Sequence, residues 1–529
     1  MKHIPASSAV LFCLVTAWSA PVLHAEVKLS KPFTPHMVLQ RGMDVPVWGT
    51  AAPGEKVTVT FSGQSKSATA DDKGAWRVKL APLTASAEPK VLTAGDKMID
   101  DVLVGDVWVG SGQSNMDGLV AGYSINDPVL AAAAELTYPK LRLMRKDANA
   151  VWEQATPEAN RKFSAILFSF GFALQKETDV PVGLMVGAVG GTPSGFWLSE
   201  EMYRSDAACA EAVKKFAATY NHDEVLAKYE VLKKKYDDDF AAWKPLADAA
   251  KKDGKPLPPG PRAPQLPGKA GETNGGKVGQ LFEAFVRPYV GYAIKGVLWD
   301  QGESKTNIVG VDQVTLMGAL IRGWRKDWGQ GDFPFLYVEK PSGGGCAYDY
   351  AMPMNRLAEK FTPLPKTIPA PPDREYSHVA FASFMQYPNT HMVTASDLGR
   401  DTHPANKSGY GERAAHVALA VAYGGKNEWL GPQLASHTAA GGRVTLKFTH
   451  TGKGLAFKNG EALQGFMIAG EDKKFVWADA EISGDTVIVS SKEVTQPAAV
   501  RYAWSGAFQW ANFFNKDGLP AQPFRTDNW

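Results

Sequence analysis

Hydrophobic and polar positions change rhythm twice along this chain. Residues 26–100 alternate in short runs ("VPVWG", "KVTVTF", "WRVKL") broken by Pro, Gly, Asp and Lys clusters. A period of two with frequent breakers predicts a small antiparallel β module. Over residues 101–425 longer apolar runs ("DVLVGDVWVG", "VPVGLMVGA", "IKGVLWD", "FPFLYVE", "MVTAS") alternate with segments of helical spacing ("FSAILFSFGFALQKE", "VTLMGALIRGWRKDW", "GYGERAAHVALAVAYG"). That alternation predicts parallel βαβ units with helices on both faces of one sheet. Across residues 426–529 the β rhythm returns in "RVTLKFTH", "KFVWADAEI" and "DTVIVSS", which predicts a second flanking β module. A charged helical stretch that turns Pro- and Gly-rich interrupts the middle region at 199–276. It predicts a solvated helical hairpin with a flexible return, and its length also suits a lid beside a site.

In an open α/β sheet, ligands gather at the carboxyl ends of the parallel strands. Four runs end in polar residues of the right chemistry. "GSGQSNMD" (110–117) sets Ser114 in a small polar turn that matches the first part of a nucleophile elbow but carries Met116 where the last glycine would stand. "VGAVGGTPSGFW" (186–197) places Gly190 and Gly191 where backbone N–H groups can approach a ligand closely. "GVLWDQGES" (296–304) ends in Asp300, Gln301 and Glu303; the Gln301 amide could donate to a developing oxyanion, and Glu303 could orient the site or cap a helix. "DLGRDTHPANKSGYGERAA" (397–415) brings Asp401 and His403 into one loop.

Taken singly, each has an ordinary structural explanation. Together they supply a chemistry. A serine hydroxyl is a weak nucleophile until a base removes its proton, and the base needs a group that orients it. Ser114, Asp401 and His403 fill those roles, with oxyanion donors from two further strand ends. Asn115, beside the serine, joins Glu303 as a candidate supporting side chain.

Composition narrows the alternatives. At 529 residues and 44 % hydrophobic, the chain exceeds one domain, and its formal charge of +2 gives no electrostatic case for nucleic acid or an anionic membrane. Lys2, the apolar run "AVLFCLVTAW" and the small-residue exit at Ala25 have the pattern of a secretory leader over residues 1–25, so export to a periplasm or the medium is expected, without membrane insertion. Cys13 falls in that leader; Cys209 and Cys346 either pair in an oxidising compartment or stay as two buried thiols. The scattered histidines show no metal-ligand spacing.

The four segments "SGQSNM", "GGTP…W", "WDQGES" and "DTHPANK", in this order, resemble the SGNH hydrolase superfamily and within it the sialate O-acetylesterase-like family. The opening "PFTPHMVLQRGMDVPVWGTAAPGEKVTVTF" and the closing "VRYAWSGAFQWANFFNKDGLPAQPFRTDNW" are similar to it too, so the resemblance spans nearly the whole chain after the leader. It implies an α/β fold with a flavodoxin-like α/β/α core and a parallel sheet. It implies Ser114 as nucleophile, His403 as base and then acid, and Asp401 orienting the imidazole. The N–H groups of Ser114 and Gly191 with the Gln301 side chain would form the oxyanion hole. The activity implied is hydrolysis of O-acetyl esters on sugars, of sialic acid or hemicellulose type, through an acetyl-serine and without a metal or organic cofactor. The chain departs from the pattern at Val189 and Asp300, positions expected to flank the pocket. The competing reading from another class is a non-catalytic carbohydrate-binding protein on the same scaffold. Oligomeric state has no signature in the sequence.

Overall fold

Seven strands form the part of the sheet that carries the candidate residues: β1 (Lys97–Gly112), β2 (Tyr138–Met144), β3 (Trp152–Ala155), β4 (Val182–Ala188), β5 (Gly296–Asp300), β6 (Phe335–Val338) and β7 (Thr390–Val393). They belong to a computed structural model that describes residues 1, 26–146 and 151–529; the leader expected at 1–25 lies, Met1 aside, outside the described residues. Their order is β3-β2-β4-β1-β5-β6-β7, parallel throughout except for the β2–β3 pair. Both faces are covered, which is why β4, β5 and β6 read as apolar runs buried at every position. In β5, Leu298 points into a cluster with Leu167 and Val417 on one face. Its neighbour Trp299 faces the other way, edge-on to Trp197 at 6.4 Å and Trp324 at 6.1 Å.

The helices that matter here are α1 (Ser114–Asp117), α2 (Ala165–Thr178), α3 (Ala207–Ala217), α4 (His222–Lys252), α5 (Gln313–Trp328) and α6 (Lys407–Tyr423). The core helices begin on side-chain caps at Ser164, Asp312 and Asn406 and end in left-handed residues at Asp179, Gly329 and Gly424. Helices α2 and α6 share one face of the sheet and touch so closely that a Cβ on Gly411 would lie 2.4 Å from the Ser169 side chain. Helix α5 covers the other face through Leu316 and Trp324.

Two strands, β2 and β3, go beyond the sequence reading. Polar positions break the apolar run of β2, and Arg142 within it is buried because it pairs with Asp101 at 3.0 Å. A further difference concerns position 100, where strand β1 runs straight through. Its first half pairs with Val38–Gln40 and Ser86–Ala94, and its second half enters the parallel sheet. The C-terminal region builds two four-stranded antiparallel sheets around their own core of residues such as Phe466, Tyr502 and Phe513. In the interruption, α4 is one 31-residue, largely exposed helix laced with i,i+4 ion pairs such as Lys228–Glu224 and Lys244–Asp248. The Pro-rich return is tied to it, the Trp243 indole donating to the Pro258 carbonyl at 2.9 Å. Cys209 and Cys346 are separate buried thiols, each pushed up to about 12 by burial. Among the described residues, no helix is long and apolar enough to cross a membrane, and no cluster of three or more His, Cys, Asp or Glu side chains could hold a metal ion.

Candidate active site

Strands β4, β1 and β5 are neighbours, so the first three polar strand ends converge at one edge. Gly112 makes the approach: its φ is 134°, and a Cβ there would lie 2.1 Å from the Asp300 carbonyl oxygen. The next backbone N–H, of Gln113, donates to that oxygen at 2.9 Å. Ser114 then opens α1, partly exposed.

The loop between β7 and α6 brings the fourth segment over the same edge. His403 Nε2 lies 2.8 Å from Ser114 Oγ, across 289 residues of chain. Inside the loop, the Asn406 amide donates to the carbonyls of Leu398 and Met354 at 2.8 and 2.6 Å. Asp401 shares the loop but is exposed, sits at φ 97° and makes no hydrogen bond, to His403 or elsewhere. Serine and histidine are therefore together, and the aspartate stands apart.

The glycine turn is held against the serine. Lys146 is bonded to Asp117 and, at 2.6 Å, to the Ala188 carbonyl; Asp117 accepts the Gly190 N–H at 3.1 Å. Gly190 comes so near that a Cβ would be 3.4 Å from Ser114 Cβ. Gly191 follows at φ 71°, exposed. The N–H groups of Ser114 and Gly191 have no hydrogen-bond partner, so both remain available to a ligand oxygen.

Gln301 is placed differently from the expectation. It is fully buried; its Nε2 donates to the Thr192 and Lys305 carbonyls at 3.4 and 3.2 Å, and its Oε1 accepts from Gln313 at 3.0 Å. With its donors engaged this way, the side chain braces the loops on either side of the edge. Gln301→Ala would leave the Thr192 carbonyl and the Gln313 amide without their partner, while the Lys305 carbonyl keeps the Ser194 N–H, at a cost of about 1–3 kcal/mol. The expected outcome is a melting temperature lowered by a few degrees, measured calorimetrically alongside turnover. An unchanged melting point with a large loss of kcat would return Gln301 to the oxyanion role.

Asp300 also departs from its expected place beside the pocket. It is wholly buried, with Lys340 Nζ 2.9 Å from its Oδ1, and the same ammonium is 3.1 Å from Glu303 Oε1. Burial, against the pull of Lys340, raises the Asp300 carboxyl above its ordinary range. Burial works against the Lys340 charge, but the two carboxyls outweigh it and hold that ammonium above its usual value. Val189, the other departing position, packs against the core. Asn115 takes the place of a hub: its Nδ2 donates to Glu303 Oε1 at 3.0 Å and to the Thr402 carbonyl at 2.9 Å, and its Oδ1 accepts from Lys407 Nζ at 2.5 Å. Neither Lys340 nor Lys407 carries a local signature: the first follows the apolar run "FPFLYVE" and the second ends "DTHPANK", and nothing near either in sequence marks it as buried.

A cleft of about 510 Å³ starts at Gly191 and runs between Pro193, Phe196 and Asn307 and the return of the interruption, which contributes Gln265 and Asn274. Its neighbour of about 450 Å³ shares Asn274, Ser304 and Asn307. Lys305 lines that second cavity and faces Glu375 at 3.8 Å.

A family model described as carbohydrate esterase, sialic acid-specific acetylesterase, matches residues 104–226. The sialate O-acetylesterase of Rattus norvegicus is 27 % identical over 92 % of this chain and 92 % of its own length, and that of Mus musculus is 26 % identical with the same coverage. The crystal structure of a carbohydrate acetylesterase from Xanthomonas citri superposes with a TM-score of 0.69 at 28 % identity, over 95 % of this chain and 100 % of the other.

Proposed function

Because this chain is a carbohydrate O-acetylesterase, similar to sialate O-acetylesterases along most of its length, we propose that Ser114 is the group that takes the acetyl from the sugar. The observation that carries this reading is the 2.8 Å contact between Ser114 Oγ and His403 Nε2. As Oγ attacks the ester carbonyl carbon, His403 accepts its proton, and the carbonyl oxygen becomes an oxyanion facing the N–H groups of Ser114 and Gly191. The bond to the sugar oxygen then breaks, and His403 returns the proton to that oxygen. Water repeats the sequence on the acetyl-serine and releases acetate. Asp401 orients the imidazole by turning its carboxylate to Nδ1–H as the ring becomes charged. Such contacts often tighten only once substrate is bound.

The substrate side favours an uncharged sugar. The cleft at Gly191 is lined by amides, a serine, glycines, Pro193 and Phe196, with no charged side chain. A sialic acid would bring a carboxylate, and the nearby cation, Lys305, already faces Glu375. Amide side chains both donate and accept, which suits sugar hydroxyls, and an aromatic ring suits a sugar face. We read the protein as exported, residues 1–25 serving as its leader, and residues 101–425 as an SGNH-type catalytic unit flanked by the β segments 26–100 and 426–529. The parallel order of β2, β4, β1, β5, β6 and β7 supports that core.

Acetate release from acetylated xylan or xyloglucan oligosaccharides and from O-acetylated sialic acids, run in parallel, tests the substrate. Faster release from the neutral class is expected, and preference for sialic acids would overturn it. Rapid quenching should show one acetyl group on the peptide containing Ser114; turnover with no such species would remove the covalent step.

A further inference from the structure

Lys407 is a costly residue for its place. It is 1 % exposed, it begins α6, where the helix dipole disfavours a cation, and burial lowers its ammonium to about 7. Packing alone would select an apolar side chain there. Nζ lies 4.3 Å from the Tyr123 ring and contacts Asn115 Oδ1, and the carboxyls of Asp300, Glu303 and Asp127 are near enough to favour its charge.

The Asn115 contact ties Lys407 to the reaction centre. The charged Nζ is a donor only, so in that form it fixes which end of the Asn115 amide is oxygen. The amide nitrogen is then directed to Glu303 and to the carbonyl of Thr402, the residue before His403. Asn115 itself follows Ser114 in α1. One amide thus joins the nucleophile's helix, the segment after β5 and the histidine loop, and both its N–H donors are used. With Asp401 making no hydrogen bond, this is the described link between the Ser114 turn and the backbone beside His403.

We infer that Lys407, acting through Asn115, is a positioning residue that sets His403 against Ser114. The inference rests on the nucleophile reading above. Without the ammonium, Asn115 Oδ1 is left unpaired, and rotation to satisfy it pulls the amide nitrogen off the Thr402 carbonyl. The histidine loop then loses its register to the serine.

The test uses the full chain and three variants: Lys407→Met, Asn115→Asp and Ser114→Ala. Asn115→Asp keeps an acceptor for the lysine but sets a carboxylate oxygen against the Thr402 carbonyl. For Lys407→Met we expect kcat to fall about 10- to 100-fold, the size of a small misplacement of reacting groups, with KM within about twofold. The rate at which diisopropyl fluorophosphate labels Ser114 should fall by the same factor, since it reads serine activation without the sugar. Melting temperature should hold within a few degrees. A folded Lys407→Met with kcat and labelling within about twofold of wild type overturns the inference, as does a loss confined to KM. Should Lys407→Met not fold, Asn115→Asp carries the same comparison with the same two outcomes. Activity surviving in Ser114→Ala would instead sink the nucleophile reading, so the two failures are told apart.

Discussion

Ser114→Ala should lower kcat on an acetylated sugar by roughly 10⁴- to 10⁶-fold and leave the protein folded. The size follows from the proposed mechanism, in which Ser114 Oγ forms the bond to the acetyl carbon and no other hydroxyl replaces it. What remains is the rate that binding and the two free backbone N–H groups can sustain with water alone. The fold has little reason to notice. The side chain is only partly buried, and its one hydrogen bond runs to an exposed histidine. A melting temperature within about 2 °C of wild type is therefore expected. Steady-state acetate release, calorimetry and substrate binding by the inactive variant make the check. A variant that keeps more than about a hundredth of wild-type kcat would show that Ser114 is not the nucleophile.

His403→Gln should be nearly as damaging, by about 10³- to 10⁶-fold, because an unactivated serine hydroxyl is a poor nucleophile. Glutamine can still touch Oγ but cannot shuttle a proton. The informative comparison is the double variant. Residues that act as a unit lose their joint contribution once, so Ser114→Ala with His403→Gln should be little worse than Ser114→Ala alone. Losses that multiply would mean that the two side chains serve different steps. Asp401→Asn belongs in the same series. Its loss should be smaller than that of His403→Gln, because the Asn115 link to Thr402 holds the loop in a structure where Asp401 makes no bond.

The sequence disclosed what has a local signature. Apolar runs of strand length located β1, β4, β5, β6 and β7, since both faces of this sheet are buried and every position along such a strand is selected for. Polar residues at their ends then named Ser114, Gly191 and His403, which the fold brings to one edge. The features that escaped depend on contacts distant in sequence. Strand β2 holds a buried arginine, tolerable only because Asp101 comes from another strand to meet it. Asp300 and Gln301 looked like pocket residues because they end a strand. Their actual partners, Lys340 and Gln313, turn both into internal braces. A lysine in a loop or at a helix start reads as a solvated charge, so nothing marked Lys340 or Lys407. Asp401 shows the opposite limit: spacing put it in one loop with His403, but at φ 97° its exposed carboxylate makes no bond to the ring.

Strand β1 makes the molecule hard to divide. Its first half is hydrogen-bonded to segments from the N-terminal region, and its second half leads through Gly112 to Ser114. A truncated chain beginning near residue 97 would strip partners from Ile99, Val102 and Leu103, all buried, and bare an apolar ribbon edge that other chains could add to. Nor would the damage stay at the cut, since a strand is one stiff element: fraying at its start loosens the seat of the residue at its end. Moving the parallel sheet into another protein would therefore require carrying these N-terminal strands along, which makes them less an appendage than a standing part of the sheet's frame.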